Sequence, residues 1–112
     1  MTLQKAIELA PDLSSTYERL GYCLWREGKY KEACENYEKA IDLDSKNSAA
    51  FAGHGVVLMT QYLDSPENTS LRDRAVEEWH NSLELNPQQP KLRELVEKYR
   101  IKPEQPVVHL NG

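Results

Sequence analysis

The chain repeats itself, and this repetition limits its possible folds more than any single motif does. Displaced by 34 positions, Ala6 falls on Ala40, Ile7 on Ile41, Leu9 on Leu43, Gly21 on Gly55 and Leu24 on Leu58. The segment AIELAPDLS thereby echoes AIDLDSKNS. Beyond Leu58 the register slips by eight residues and the echo resumes at a spacing of 42. It then pairs Ala33 with Ala75, Glu35 with Glu77, Tyr37 with Trp79, Ile41 with Leu83 and Leu43 with Leu85. A period in this range marks an array of small units, each burying its apolar face on its neighbours.

The pattern inside each unit is helical. Tyr17, Leu20, Gly21 and Leu24 fall at i, i+3, i+4 and i+7, and Ala33, Tyr37, Ala40 and Ile41 at i, i+4, i+7 and i+8. Gly28 supplies a turn within the first unit, and Ser45-Lys46-Asn47 separates the units. Pro11 and Pro87 stand in matching places after Leu9 and Leu85, where proline stops a helix. Six helices are predicted: Leu3–Leu9, Ser14–Glu27, Tyr30–Leu43, Ser48–Tyr62, Ser70–Leu85 and Gln89–Arg100. Ser70 and Asp73 are spaced as a capping box with Asp in place of Glu. The eight extra residues read as a loop at Leu63–Thr69 that lets helices Ser48–Tyr62 and Ser70–Leu85 run longer than their counterparts. Loop closure entropy grows slowly with length, so deleting Ser65–Asn68 is expected to cost little. Residues 101–112, with Pro103 and Pro106, are expected to be extended or disordered.

A 34-residue helix–turn–helix unit of this composition resembles the tetratricopeptide repeat family. The residues that carry the resemblance in Ser14–Asn47 are Tyr17, Leu20, Gly21, Leu24, Gly28, Tyr30, Ala33, Tyr37 and Ala40. Ser45 replaces the usual terminal proline. The second unit, Ser48–Gln89, keeps Phe51, Gly55, Leu58, Ala75, Trp79 and Pro87. It departs at His54, where an aliphatic residue is usual, and at Ser82, where alanine is usual. Residues 1–13 match a half repeat, and Pro90–Arg100 reads as a capping helix with Leu92, Leu95, Val96 and Tyr99 on one face. The resemblance implies an all-α fold, with antiparallel helix pairs stacked in a right-handed α-solenoid over residues 1–100.

Composition removes several classes of function. Eighteen acidic and 14 basic residues leave a net charge of −4, which argues against a nucleic-acid partner, since such binding needs a basic face. No apolar run approaches the roughly 18 residues of a membrane span. Met1–Pro11 is too polar for a signal peptide, and the expected location is the cytoplasm. Asn68-Thr69-Ser70 then reads as an ordinary polar loop rather than a glycosylation site. Cys23 and Cys34 have no partner motif for zinc and read as two buried free thiols, slow to react until the chain unfolds. The resemblance places both at buried family positions on adjacent helices. No nucleophile elbow, zincin, P-loop or dinucleotide motif is present, so neither an enzyme nor a cofactor is expected. His54, His80 and His109 are too dispersed for a metal cage. His54 is expected in the core, and Glu77-Glu78 and Asp42–Asp44 on solvated helix faces.

The resemblance also implies a function. In the family, the first helix of each unit lines a concave groove that takes a peptide or helix of a partner protein. The matching positions here are Glu18, Tyr22, Trp25 and Arg26, then Ala52, Val56 and Met59, then Lys91, Glu94 and Lys98. Tyr22, Trp25 and Arg26 share one helix face. The lysine, asparagine and arginine clamp of the chaperone-binding members is not matched: Glu18, Tyr22 and Gly53 stand at its positions, Lys91 alone fits, and Leu95 does not. The second expectation is a scaffold, or part of a longer array, that self-associates as a homodimer through its terminal helices.

Overall fold

The computed structural model describes residues 12–100. Five helices follow one another: α1 (Leu13–Arg26), α2 (Tyr30–Leu43), α3 (Ser48–Asp64), α4 (Thr69–Leu85) and α5 (Pro90–Tyr99). The described residues contain no strand. The predicted Leu3–Leu9 helix and the tail 101–112 lie outside the described residues. Connections of three or four residues force each helix to run back along its predecessor, which gives two hairpins, α1–α2 and α3–α4. These hairpins are the tightest pairings; α3 also packs on α2 and α1, and α5 closes the end on α4.

Local chemistry sets the helix ends. Asp12 caps α1 by accepting from the Ser15 backbone N–H at 3.2 Å and its hydroxyl at 2.7 Å. These bonds hold its carboxyl below the usual carboxylate range. Gly28 takes φ +81°, the left-handed region open to glycine, and ends α1. Its N–H donates to Trp25 C=O at 3.0 Å and that of Lys29 to Leu24 C=O at 2.9 Å, which is the Schellman arrangement. Asn47 caps α3 through Ala50 N–H, and Pro90 occupies the first turn of α5, where its missing N–H is not needed.

The core forms two clusters joined at α3. Ala33, Tyr37, Ala40, Ala50 and Val57 unite α2 and α3, and Leu58, Met59, Ala75, Trp79, Leu92 and Val96 unite α3, α4 and α5. Each hairpin closes on an aromatic ring laid over a glycine: Tyr37 over Gly21 and Trp79 over Gly55. The two departures noted at the second unit have physical roles. Ser82 donates its hydroxyl to Ser48 C=O at 2.7 Å and accepts from Gln89 Nε2 at 3.1 Å. In the first unit the serine sits on the other helix: Ser14 donates to Ala40 C=O at 2.7 Å and accepts from Asn47 at 2.9 Å. The same junction is therefore tied by a hydroxyl in both units, carried by opposite helices.

Three expectations are corrected. The two flanking helices are longer than their counterparts, as expected, but the loop between them is shorter than Leu63–Thr69. Four of the eight inserted residues lengthen the end of α3, three lengthen the start of α4, and one enters the connection, which is only residues 65–68. Helices α3 and α4 reach 17 residues against 14 in α1 and α2. Ser65 N–H bonds to Gln61 and Tyr62 C=O, and Leu71 N–H to Asn68 C=O, so the short connection also closes both helix ends. Deleting Ser65–Asn68 should therefore unwind a turn on each side and lower stability by about 2 kcal/mol, or roughly 10 °C in Tm. A thermal melt unchanged by the deletion would contradict this. The Ser70–Asp73 capping box is not formed: Asn68 precedes α4 without a side-chain cap bond, and Asp73 accepts from Arg72 Nε at 3.2 Å. Finally, Cys23 is exposed and Cys34 half-buried, both as free thiols. Gly21 occupies the buried stripe of α1, and Cys23, two residues on, is turned away from it.

A candidate peptide groove and a buried histidine

Tyr37 organises the surface between α1 and α3. Its ring is 4% exposed and lies between Gly21 and Gly53; a Cβ on Gly53 would overlap it. The close approach of α1 and α3 over this ring leaves a cleft of about 450 Å³ lined by Glu18, Arg19, Tyr22, Cys23, Tyr37, Ala49 and Gly53. Burial, with Glu18 adding to it, pushes the Tyr37 hydroxyl well above the ordinary tyrosine range, so it stays protonated.

One turn along α1 the cleft is continued by an aromatic and cationic edge. Tyr22 is 47% exposed. Arg26 donates to its hydroxyl at 2.8 Å and holds its guanidinium 5.7 Å from the ring centroid. The Trp25 ring lies 5.9 Å from that of Tyr22. Trp25 is half-buried, packs against the first core cluster and donates Nε1–H to Thr60 Oγ1 at 3.0 Å. Thr60 in turn donates to Val56 C=O at 2.8 Å. Trp25 thus packs on the next helix with one edge and meets Tyr22 with the other.

The remaining expected groove residues fall elsewhere. Met59 is 5% exposed inside the second core cluster, so it offers no contact surface; the extra length of α3 and α4 covers it. Val56 and Ala52 are half-buried against the same cluster. Lys91 and Lys98 are exposed and line, with Glu94 and Leu95, a separate cleft of about 410 Å³ on α5 that shares no residue with the first. Sequence reasoning missed Arg19, Cys23 and Ala49 on the first cleft. The available signal was Gly53, a second small residue beside Gly55 where an aromatic ring from α2 could enter.

The second polar feature is internal. His54 is 4% exposed on α3, between α2 and α4. Its Nδ1 lies 2.6 Å from Glu78 Oε2, and Glu78 Oε1 accepts from Asn81 at 3.1 Å. Nε2 lies 3.6 Å from Glu38 Oε2 and has no hydrogen-bond partner. Burial works against charging the ring, but the Cys34 sulfur and the Glu78 carboxylate outweigh it and bring the pKa up to about 9. Glu78 is consequently not on a solvated face: its side chain is 18% exposed and fixed between His54 and Asn81. No group of three or more His, Cys, Asp or Glu suited to a metal ion occurs among the described residues.

The tetratricopeptide repeat model matches residues 14–47, which are α1, α2 and the connection to α3. The chain is also 29% identical over 70 residues to "Small glutamine-rich tetratricopeptide repeat-containing protein 2" of Mycosarcoma maydis. That alignment covers 62% of this chain and 19% of the relative, so the chain spans about a fifth of the relative's length. Residues 14–47 are a tetratricopeptide repeat. The chain's helices pack as a helical solenoid of the kind such repeats form, and the repeat and the similarity to this relative support a protein-interaction module in general. Members of this family are typically scaffolds without catalytic activity. Among the described residues, no helix of this repeat protein is long and apolar enough to cross a membrane.

Proposed function

We propose that this tetratricopeptide repeat protein binds a peptide segment of a partner protein in the cleft between α1 and α3, and that it is not an enzyme. The observation that carries this reading is the exposed Tyr22 beside Arg26 at the mouth of a cleft floored by Tyr37. A tyrosine held by its own helix presents a large ring at low entropic cost, and Arg26 supplies a planar fork for a carboxylate. The expected ligand is an extended segment with one apolar anchor and an acidic neighbour. Trp25 supports Tyr22 from behind through packing and its bond to Thr60. Lys91 and Lys98 form a second cationic patch for the end of a longer ligand.

Selection of a displayed random 12-residue peptide library on the immobilised chain tests this reading. Enriched peptides should carry an apolar or aromatic residue next to Asp or Glu. Replacing Tyr22 by Ala should weaken the best of them by about 2 kcal/mol, some 30-fold in Kd, with little change in Tm because the ring is largely exposed. Failure to enrich any sequence, or equal affinity for the Tyr22→Ala chain, would remove the cleft from consideration.

A further inference from the structure

Tyr37 and Trp79 stand at matching places in the two units, each a ring laid over a glycine of its paired helix. Their polar atoms are treated differently. Trp79 Nε1–H donates to Ala52 C=O at 3.1 Å, inside the protein. The aromatic groups along the edge of the cleft are also engaged: Trp25 Nε1–H donates to Thr60 Oγ1 at 3.0 Å, and the Tyr22 hydroxyl accepts from Arg26 at 2.8 Å. The Tyr37 hydroxyl has no hydrogen-bond partner among the described residues, although Tyr37 is only 4% exposed. The sealed side-chain polar atom without a partner, among the described residues, is His54 Nε2, so the Tyr37 oxygen is not sealed. It lies against Gly53, where a Cβ would overlap it, and both residues line the cleft between α1 and α3. The oxygen therefore opens onto the cleft floor, in room left by the missing side chain of Gly53.

Two charged groups share the wall above this floor. Glu18 and Arg19 are neighbours on α1, and both line the cleft. Glu18 opposes a negative charge on the floor, and Arg19 opposes a positive one. A wall with one charge of each sign favours a dipole over an ion. The protonated hydroxyl beneath it offers a donor. In the free chain solvent accepts that bond. A segment seated in the cleft displaces the solvent and must supply an acceptor, or leave a buried donor unpaired. We propose that the Tyr37 hydroxyl selects an uncharged amide of the bound segment, an inference that rests on the peptide-cleft reading above. The amide C=O accepts from the Tyr37 O–H, and its N–H turns toward Glu18. An Asn or Gln side chain supplies this amide, or the backbone of the segment does. Tyr37 is then a specificity-determining residue set deeper than Tyr22 and Arg26, which take the apolar anchor and its acidic neighbour at the mouth.

Tyr37→Phe removes the oxygen and keeps the ring over Gly21 and Gly53, so helical circular dichroism should be retained. Displayed random 12-residue peptides are selected in parallel on the unsubstituted full chain and on Tyr37→Phe. The best peptide for the unsubstituted chain should bind Tyr37→Phe about five- to tenfold more weakly, the worth of one hydrogen bond. If a side chain supplies the amide, Asn or Gln is enriched at a fixed spacing from the apolar residue on the unsubstituted chain only. Replacing it by Leu then removes the difference between the two chains. If the backbone supplies the amide, no such enrichment occurs and the loss persists for every selected peptide. Equal affinity of both chains for a peptide that Tyr22→Ala weakens overturns the proposal and leaves the cleft reading standing. A Tyr37-dependent preference for Asp, Glu, Lys or Arg in place of the amide overturns it as well. Should neither chain enrich a peptide, the cleft reading fails and this inference with it. In the unsubstituted chain the Tyr37 Cζ carbon resonance should move when the best peptide binds. Should Tyr37→Phe lose its helicity, that resonance decides alone, and an unmoved one overturns the proposal.

Discussion

Replacing Trp79 by Ala should cost about 3–5 kcal/mol, the upper range for truncating a buried aromatic residue. The ring is 1% exposed and joins three helices. It lies over Gly55 of α3, donates Nε1–H to Ala52 C=O at 3.1 Å and meets Tyr99 of α5 at 6.4 Å between ring centroids. Truncation opens a cavity that the neighbouring helices cannot close, because Ala52 and Gly55 have no side chain long enough to fill it. The Ala52 carbonyl would also lose its donor. A small array has a stability of about 5–15 kcal/mol at most, so this variant should melt far below the unsubstituted chain or fail to fold at 37 °C. Chemical denaturation followed by circular dichroism measures the difference. A loss under about 1 kcal/mol would show that α3, α4 and α5 do not share one core.

The second large effect concerns Glu78. His54 is protonated in the folded chain over a wider range than in the unfolded one, because its pKa is raised from 6.5 to about 9. The folded state therefore holds the proton more tightly. The resulting stability is fully present below about pH 6.5 and is lost as the pH rises through 9. The loss should be on the order of 2 kcal/mol between these limits. Glu78→Ala removes the carboxylate that contributes to this shift and leaves a buried ring facing only Glu38, 3.6 Å from Nε2. The variant should lose on the order of 2 kcal/mol at pH 6 and much less at pH 9.5, where the ring is neutral in either chain. Denaturation midpoints at the two pH values test this. An equal loss at both would assign Glu78 to packing rather than to the ion pair.

The helices were legible because their signal is local. Apolar spacing in Tyr17–Leu24 and Ala33–Ile41, a glycine at 28 and polar residues at 45–47 state where each helix runs and stops. The repeat was legible because Gly21 with Tyr37 and Gly55 with Trp79 recur together, and close helix packing needs that pairing of small and large. The inserted loop was read three residues too long for a reason that is also physical. Leu63, Asp64 and Thr69 stand at helix ends of mixed polarity, and such an end is extended only when a partner helix of equal length lies beside it. That partner is the other half of the same hairpin.

The site was less legible than the fold. Sequence spacing places Trp25 and Met59 on helix faces, but the distance to the next helix decides whether a face is groove or core. Met59 is buried because α4 continues beside it, and Trp25 is half-buried because Thr60 lies within reach of its N–H. Glu78 is another case: 24 residues from His54, it becomes the partner of a buried imidazole only through the antiparallel return of α4. The sequence by itself determined the helices, their order and the pairing of glycine with aromatic residue, since these follow from periodicity and residue size. Only the tertiary structure decided which thiol is exposed, what Trp25 packs against and which carboxylate meets His54. Those outcomes depend on distances between helices, and the periodicity of a single helix carries no measure of its distance to another.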